Sequence, residues 1–295
     1  MIRLGTRGSR LARTQSGVVA DAIAARIGPV ETVVIRSEGD DTGVAMDSFA
    51  RPGAFVAALQ DALLSGRVDV VVHSYKDLPS APTPGLVVAA VPVRASARDV
   101  LVARGGLALA DLPAGANVGT SSPRRAAALL RARPDLTVVG LRGNVDTRLR
   151  AVAEGRLDAI VVAEAGLERL GLLTGDVTPL DTDVMLPAPA QGALAVECRS
   201  DDPLATDLSY LNDGATGLCV AAERAVLAEI GAACTTAVGA LARIEDGWLS
   251  LEAEISDHRG VQYAWRRDRI KVDGGTSAAE VLGRRVARSL LEDAL

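Results

Sequence analysis

The chain contains few aromatic residues and almost no lysine. Aromatic residues make up 2% of its 295 residues, and every basic residue except Lys76 and Lys271 is arginine. A bias of this kind weakens any single arginine as a functional signal. The position of an arginine, in a turn rather than on a solvated helix face, is therefore the more informative observation.

Long apolar runs are also absent. No stretch approaches about 18 uncharged apolar residues, and the N-terminus enters a strand pattern at Ile2 without the apolar core of a secretion signal. The 3 cysteines, Cys198, Cys219 and Cys234, fit neither a disulfide framework nor a metal site by number or spacing. We expect a cytoplasmic protein with no metal and no membrane partner.

Acidic residues outnumber basic ones, and the formal net charge is −5. Arginines clustered in an acidic chain favour a local pocket for a small anion over a track for a nucleic-acid backbone, so we expect no nucleic-acid partner. Hydrophobic residues make up 48% of the chain, which is enough for two or three domain cores at this length.

Four arginines lie where predicted strands give way to helices. Arg124 and Arg125 directly follow Ser122-Pro123, and Arg142 and Arg148 flank a second turn. Exposed backbone N–H groups and the helix dipole favour anions at such positions of an open α/β sheet. The pattern predicts an anion-binding site.

A lysine and a carboxylate follow another apolar strand, in the segment His73-Ser74-Tyr75-Lys76-Asp77-Leu78-Pro79. Together with the arginines, this segment predicts a cleft that binds a polyanion and contains one acid/base group. For His73 we expect a position at the edge of the core, with its ring bonded to the backbone.

Three segments recur faintly in the same order. Each pair is short, and together they indicate two related α/β lobes with mostly parallel sheets. The pairs are Leu4–Arg10 with Val118–Arg124, Thr32–Val34 with Thr137–Val139, and Gly66–Val72 with Gly155–Val161. Ser9 or one of its neighbours is expected to cap the helix at 11–27. Ser122 is expected to cap the second helix, and Pro123 suits its first position.

After about Asp213 the pattern changes to a long helix at 215–230, a cysteine loop, alternating strands and a closing helix from Ser277. We predict lobe 1 at 1–93 and 192–211, lobe 2 at 94–191, and an α+β C-terminal domain at 212–295. Cys234 lies in a loop of small residues, which makes it the candidate reactive thiol. The other two cysteines lie in a predicted strand and helix, where burial is the default.

The motifs together resemble the porphobilinogen deaminase (hydroxymethylbilane synthase) family, in order and over the whole chain. They are His73–Pro79, Gly119–Arg125, Leu141–Arg148, Ala190-Gln191-Gly192-Ala193, Ala222-Glu223-Arg224 and Cys234. The resemblance implies two lobes like those of periplasmic binding proteins and a small third domain.

The resemblance also implies an activity. Members of the family condense four porphobilinogen molecules head to tail, release ammonia at each step and free 1-hydroxymethylbilane by hydrolysis. The primer is a dipyrromethane cofactor, bound through a thioether to a loop cysteine that maps to Cys234. The implied enzyme is a monomer that passes its product to uroporphyrinogen-III synthase.

Residue roles follow by position in the motifs. Asp77 is the predicted catalytic group, because a carboxylate stabilises a cationic pyrrole nitrogen and can carry protons. The residues implied to hold the primer's carboxylates are Ser74, Lys76, Ser122, Arg124 and Arg125. The residues implied to face the incoming monomer are Arg7, Ser9, Arg142, Arg148 and Gln191.

The chain departs from the family pattern in two places. Pro52-Gly53-Ala54-Phe55 stands where many members have Lys-Gly-Leu-Phe, so a lysine contact from the 38–51 loop is missing, and Arg51 is its candidate replacement. The cysteine loop reads Ala232-Ala233-Cys234-Thr235-Thr236 where Gly-Gly-Cys is more usual.

Two alternatives stay open at this point. A solute-binding protein with the same lobes would account for the arginines, but it predicts a secretion signal and gives Cys234 no purpose. A lysine enzyme would form a Schiff base through Lys76, beside Asp77.

Overall fold

A computed structural model of the chain describes residues 1–35, 54–231 and 237–294. These divide into two compact units. The first unit is Met1–Arg94 with Ala193–Thr216, and the second is Ala95–Gly192 with Gly217–Leu295.

Helices and strands alternate through most of the chain. The strands are β1 (Ile2–Thr6), β2 (Val30–Val34), β3 (Val70–Ser74), β4 (Leu86–Ala90), β5 (Asp99–Ala103), β6 (Asn117–Gly119), β7 (Thr137–Val139), β8 (Ala159–Ala163), β9 (Val177–Pro179), β10 (Leu194–Arg199), β11 (Ala237–Glu245), β12 (Trp248–Ser256) and β13 (Tyr263–Lys271). The helices are α1 (Arg10–Arg26), α2 (Ala54–Leu64), α3 (Pro123–Ala132), α4 (Val145–Ala153), α5 (Glu164–Leu170), α6 (Leu204–Asp207), α7 (Gly214–Ile230) and α8 (Gly275–Ala294).

Two five-stranded sheets share one topology. The strand order is β2-β1-β3-β10-β4 in the first unit and β7-β6-β8-β5-β9 in the second. In each sheet the three strands at one side are parallel, and buried aliphatic residues such as Leu4, Val70, Val118 and Ile160 form the strands' inner positions. The predicted α/β class with two related lobes is confirmed.

The repeat extends to a specific hydrogen bond. The Arg3 N–H donates to Asp69 Oδ2 at 2.9 Å, and the Asn117 N–H donates to Asp158 Oδ2 at 2.8 Å. A glycine with positive φ lies three residues before each aspartate. The faint similarity around these aspartates therefore reflects the same local structure in both lobes.

Each sheet also contains one antiparallel strand, which the prediction of mostly parallel sheets allows but does not locate. β10 is antiparallel to β3 and β4, and β5 is antiparallel to β8 and β9. Both strands follow a connection between units rather than a helix packed on their own sheet, so the constraint that keeps βαβ strands parallel does not apply to them. Their side chains are buried on both faces like those of parallel strands. The sequence pattern therefore does not show whether such a strand is parallel or antiparallel to its neighbours.

The C-terminal part is an antiparallel sheet, β11-β12-β13, against which α7 and α8 pack. Leu249 and Leu251 of β12 meet Val226 of α7 and Leu282 of α8 in its core. The predicted α+β character of this part is confirmed. None of the described helices combines the length and the apolar character needed to cross a membrane.

Helix α8 approaches α7 closely at Gly283. A Cβ on Gly283 would overlap the Ala222 carbonyl oxygen and lie 2.6 Å from the Ala225 Cβ. We expect Gly283→Ala to lower the free energy of unfolding by about 1–3 kcal/mol through overpacking, as measured by urea denaturation.

The matched control is Gly17→Ala, in the interior of α1, where a new Cβ would meet nothing within 4 Å. Since alanine is the better helix former, the free energy of unfolding of this variant should rise by roughly 0.5–1 kcal/mol. A similar gain for Gly283→Ala would contradict the close packing.

Candidate active site

In the first unit, the predicted site residues gather at the carboxyl ends of β1 and β3, which are adjacent parallel strands. Arg7 and Ser9 follow β1, and Ser74 is the last residue of β3. Lys76 and Asp77 lie in the 3₁₀ turn that comes next. The fold thus brings these side chains to one edge of the sheet, where loops carry function in open α/β folds.

Ser9 caps α1, and its hydroxyl accepts a hydrogen bond from the Ala12 N–H at 3.3 Å. The predicted cap is confirmed. Ser74 has a partner that the sequence did not reveal, since Gln15 Nε2 of α1 donates to Ser74 Oγ at 3.2 Å. Gln15 is a buried polar residue on the inner face of α1, and that position is the signal that could have identified it.

Asp77 is exposed and, within the described residues, its carboxylate accepts no hydrogen bond. The turn is closed by the backbone instead, because the Leu78 N–H donates to the Tyr75 carbonyl. A capping role for Asp77 requires that its carboxylate accept a backbone N–H group. The geometry therefore gives no support to a capping role.

His73 is buried, as expected, but its partner is not the backbone. Its Nε2 lies 2.9 Å from Glu197 Oε2, and Gln60 Nε2 donates to Glu197 Oε1 at 3.0 Å. Glu197 is on β10, the antiparallel strand beside β3. The expected backbone partner was wrong because nothing in the sequence places β10 next to His73.

In the second unit, Ser122 caps α3, with its hydroxyl accepting from the Arg125 N–H at 3.4 Å, and Pro123 occupies the first turn. Both expectations are confirmed. The arrangement places Arg124 and Arg125 in the first helical turn, where the dipole and the backbone N–H groups already favour negative charge.

The two arginines are buried rather than exposed, with 5% and 6% of their surface accessible. Arg124 Nη2 donates to Asp99 Oδ2 at 2.7 Å, and Arg125 Nη2 donates to Asp99 Oδ1 at 2.8 Å. Gln191 Nε2, also predicted as a site residue, donates to Asp99 Oδ1 at 3.0 Å. One internal carboxylate thus links three of the predicted anion-binding side chains.

The cluster of Asp99, Arg124, Arg125 and Gln191 contains a hydrogen-bond donor that has no partner among the described residues. Arg124 Nη1 donates to the Leu186 carbonyl oxygen at 2.7 Å, while Arg124 Nε is buried and has no hydrogen-bond partner in the part of the chain that is described. An unpaired buried donor costs about 1–3 kcal/mol. A bound carboxylate would remove that cost, so these residues fit an anionic group.

Arg142 and Arg148 flank the turn that leads into α4. Gly143 has a φ of 108°, which favours glycine, and Asn144 caps the helix by accepting from the Thr147 N–H at 2.9 Å. Arg142 is exposed. Arg148 is half-buried and donates from Nε to the Gly143 carbonyl oxygen at 2.9 Å.

The electrostatics of the second unit favour an anion. Burial lowers the pKa of the Arg148 guanidinium, and the positive charge of Arg125 lowers it further. Burial also lowers the pKa of Arg169, a residue of α5 that the sequence analysis missed, whose Nη2 donates to the Gly192 carbonyl oxygen at 2.6 Å. Partly desolvated cations held near one another are stabilised by a negative ligand.

Cys198 and Cys219 are both buried, as predicted. Burial raises the pKa of the Cys198 thiol to about 11, so little thiolate forms there at neutral pH. Cys234, Arg51 and Pro52 lie outside the described residues.

Two family models match the chain. Residues 2–207 match the porphobilinogen deaminase, dipyromethane cofactor binding domain, and residues 217–292 match the porphobilinogen deaminase C-terminal domain. The chain belongs to the porphobilinogen deaminase family. As a member, it is a transferase of tetrapyrrole biosynthesis with a dipyrromethane cofactor, and the solute-binding alternative falls away.

Curated relatives agree over nearly the full length. The chain is 49% identical to the porphobilinogen deaminase of Nocardia farcinica over 297 residues, which covers 99% of the chain and 86% of the relative. It is 52% identical to the porphobilinogen deaminase of Mycolicibacterium paratuberculosis over 302 residues, covering 99% and 94%.

Among solved structures, the VFT2 domain of Bordetella pertussis BvgS matches with a TM-score of 0.42 and 16% identity, covering 71% of this chain and 85% of that one. An arginine-specific periplasmic binding protein of Salmonella typhimurium matches with a TM-score of 0.36 and 14% identity, covering 71% and 90%.

Proposed function

We propose that the chain condenses four porphobilinogen molecules head to tail onto a dipyrromethane primer, releases ammonia at each step, and frees 1-hydroxymethylbilane by hydrolysis. The observation that carries the proposal is the buried arginine pair at the start of α3, with Arg124 Nε left without a partner among the described residues. A donor of this kind, at a helix N-terminus, suits a carboxylate.

Binding the substrate and the growing product requires several positively charged side chains. Every pyrrole of the product carries an acetate and a propionate, and each charge-assisted hydrogen bond to such a group contributes roughly 1.5–3 kcal/mol. Arginine meets this demand better than lysine, because its planar fork binds a carboxylate through two N–H groups.

The chain's own residues divide into three roles in this proposal. The proposed ligands of the primer's carboxylates are Ser74, Lys76, Ser122, Arg124 and Arg125. The proposed contacts of the incoming monomer are Arg7, Ser9, Arg142 and Arg148. Gln191 is fully buried, and its proposed contribution to substrate binding goes through its hydrogen bond to Asp99. Asp77 is the proposed catalytic residue.

Asp77 would stabilise a cationic intermediate rather than bind the anionic substrate. Loss of ammonia from porphobilinogen leaves positive charge on the ring nitrogen, and a carboxylate beside that N–H stabilises it and can accept its proton. The dipyrromethane, when bound, supplies the pyrrole carbon on which the product is built. The exposed carboxylate of Asp77, with no hydrogen-bond donor among the described residues, is available for this role.

The proposal includes the features that the family resemblance implies beyond the site. Cys234 attaches the dipyrromethane through a thioether. The chain forms lobe 1 from 1–93 and 192–211, lobe 2 from 94–191 and a third domain from 212–295. The enzyme works as a cytoplasmic monomer and passes its product to uroporphyrinogen-III synthase.

Substitution of the arginine pair tests the proposed site. We expect Arg124→Leu and Arg125→Leu each to reduce the fraction of purified chain that carries the primer, as measured by intact mass, and to lower turnover of porphobilinogen at least about tenfold. The physical reason is the loss of a desolvated cation that neutralises carboxylates.

Arg133→Leu is the control. Arg133 lies at the end of α3 and binds both oxygens of Asp135, at 2.8 and 2.7 Å, so this change also breaks a close ion pair in the same lobe. It should leave primer content unchanged. Normal primer and turnover in both Arg124→Leu and Arg125→Leu would overturn the proposed carboxylate site.

A further inference from the structure

Asp99 is a charged residue in an otherwise apolar strand. It begins β5, whose other residues are Val100, Leu101, Val102 and Ala103, and none of its surface is accessible. A buried carboxylate is costly unless several donors compensate it. Sequence and burial alone therefore indicate that Asp99 has a task that an apolar residue could not perform.

The partners of Asp99 are the arginine pair. Oδ2 accepts from Arg124 Nη2 at 2.7 Å, and Oδ1 accepts from Arg125 Nε at 3.0 Å and from Arg125 Nη2 at 2.8 Å. Successive residues of a helix project about 100° apart, so neighbouring side chains do not converge by themselves. A single acceptor reached by both guanidinium groups fixes the orientation of each.

Among the contacts of the described residues, two guanidinium groups share the single carboxylate of Asp99. Glu254 also acts on Arg124 electrostatically, but it is bonded to Arg131 at 3.1 Å. Asp99 therefore makes it possible to bury Arg124 and Arg125 side by side.

We infer that Asp99 is a positioning residue, which holds the guanidinium groups of Arg124 and Arg125 in the orientation that binds pyrrole carboxylates. The inference rests on the proposed function, because it concerns the same site. Asp99 acts through the arginines and does not touch the substrate.

Asp99→Asn removes the charge at nearly constant volume. One half of the new amide is an NH₂ group, which would point a donor at guanidinium donors, so we expect both arginines to leave their present orientation. The expected result is a reduced primer-loaded fraction by intact mass and a turnover at least about tenfold lower per folded molecule, with a raised KM. The folded fraction is measured by circular dichroism at the assay temperature.

Asp69→Asn is a matched control. Asp69 is also held by two arginines, accepting from Arg3 Nη2 at 2.7 Å and from Arg199 Nη2 at 3.3 Å. It directly precedes β3, at the end of the strand opposite Ser74. Its loss should lower stability, while primer content and turnover per folded molecule stay within about twofold of wild type.

Asp99→Glu keeps the charge but moves the carboxylate by one methylene group. We expect it to fold and to lose turnover by at least about threefold, less than Asp99→Asn, because position as well as charge is required. Wild-type turnover in Asp99→Glu, or wild-type primer and turnover per folded molecule in Asp99→Asn, would overturn the inference. Failure of both variants to fold would assign Asp99 to stability alone and would overturn it as well.

The wild-type protein separates this inference from the proposed function. A wild-type chain with no primer and no turnover would refute the proposed function and, with it, the proposed role of Asp99. A loaded, active wild type beside an equally loaded and active Asp99→Asn would refute only the role of Asp99.

Discussion

Asp77→Asn is expected to lower kcat by about 100-fold or more, while KM changes by less than about threefold. Asparagine keeps the size of the side chain and one of its two oxygen acceptors, and it removes the charge. A carboxylate has the wrong sign to bind an anionic substrate, so substrate affinity should survive. It has the right sign to stabilise a cationic pyrrole nitrogen, so its loss should slow the chemical step. Steady-state kinetics with porphobilinogen measures both constants.

The matched control for this variant is Asp111→Asn. Asp111 is an exposed residue at the end of another 3₁₀ turn, Leu109–Asp111, so the change removes the same charge from the same kind of turn. Its kcat should stay within about twofold of wild type. If kcat of Asp77→Asn remained within about threefold, roughly 0.65 kcal/mol in barrier height, the acid/base group would have to lie elsewhere.

Cys234→Ser should fold normally, carry no primer and show no measurable turnover. The change is small, and the neighbours of Cys234 in the sequence are alanine and threonine, so we expect the fold to be retained. A serine hydroxyl is much less nucleophilic than a thiolate, so the thioether has no equivalent at this position. Reaction with Ehrlich's reagent and circular dichroism measure the primer and the fold.

Cys198→Ser and Cys219→Ser provide the comparison. Both thiols are buried, and that of Cys198 has a pKa raised to about 11 by burial, so neither is suited to form a thioether. Both variants should be less stable than wild type and retain the primer. Primer still present in Cys234→Ser would refute the assignment of the attachment site.

Local features of the fold could be predicted from the sequence because neighbouring residues determine them. A hydroxyl residue before a helical pattern predicts a cap, as at Ser122 and in the segment that contains Ser9. The repeated segments predict two lobes because they make the same local contacts, such as those at Asp69 and Asp158. Such signals depend on a few consecutive residues, which are all visible in one sequence.

Long-range pairings could not be predicted in the same way. Asp99 meets its arginines across 25 and 26 residues, and His73 meets Glu197 across 124. Both pairings involve β5 or β10, whose antiparallel direction the apolar pattern does not encode. A charged residue inside an apolar strand, as at Asp99 and Glu197, was the available signal, and it predicts a buried partner without naming it.

The intact mass of the purified wild-type chain shows whether a dipyrromethane primer is attached to it. We expect a mass above that of the 295-residue sequence by two pyrrole units, and the unmodified mass of the variant in Cys234→Ser. An unmodified wild-type chain after incubation with porphobilinogen, or an adduct trapped on Lys76 by borohydride, would show that the chain does not build its product on a primer at Cys234.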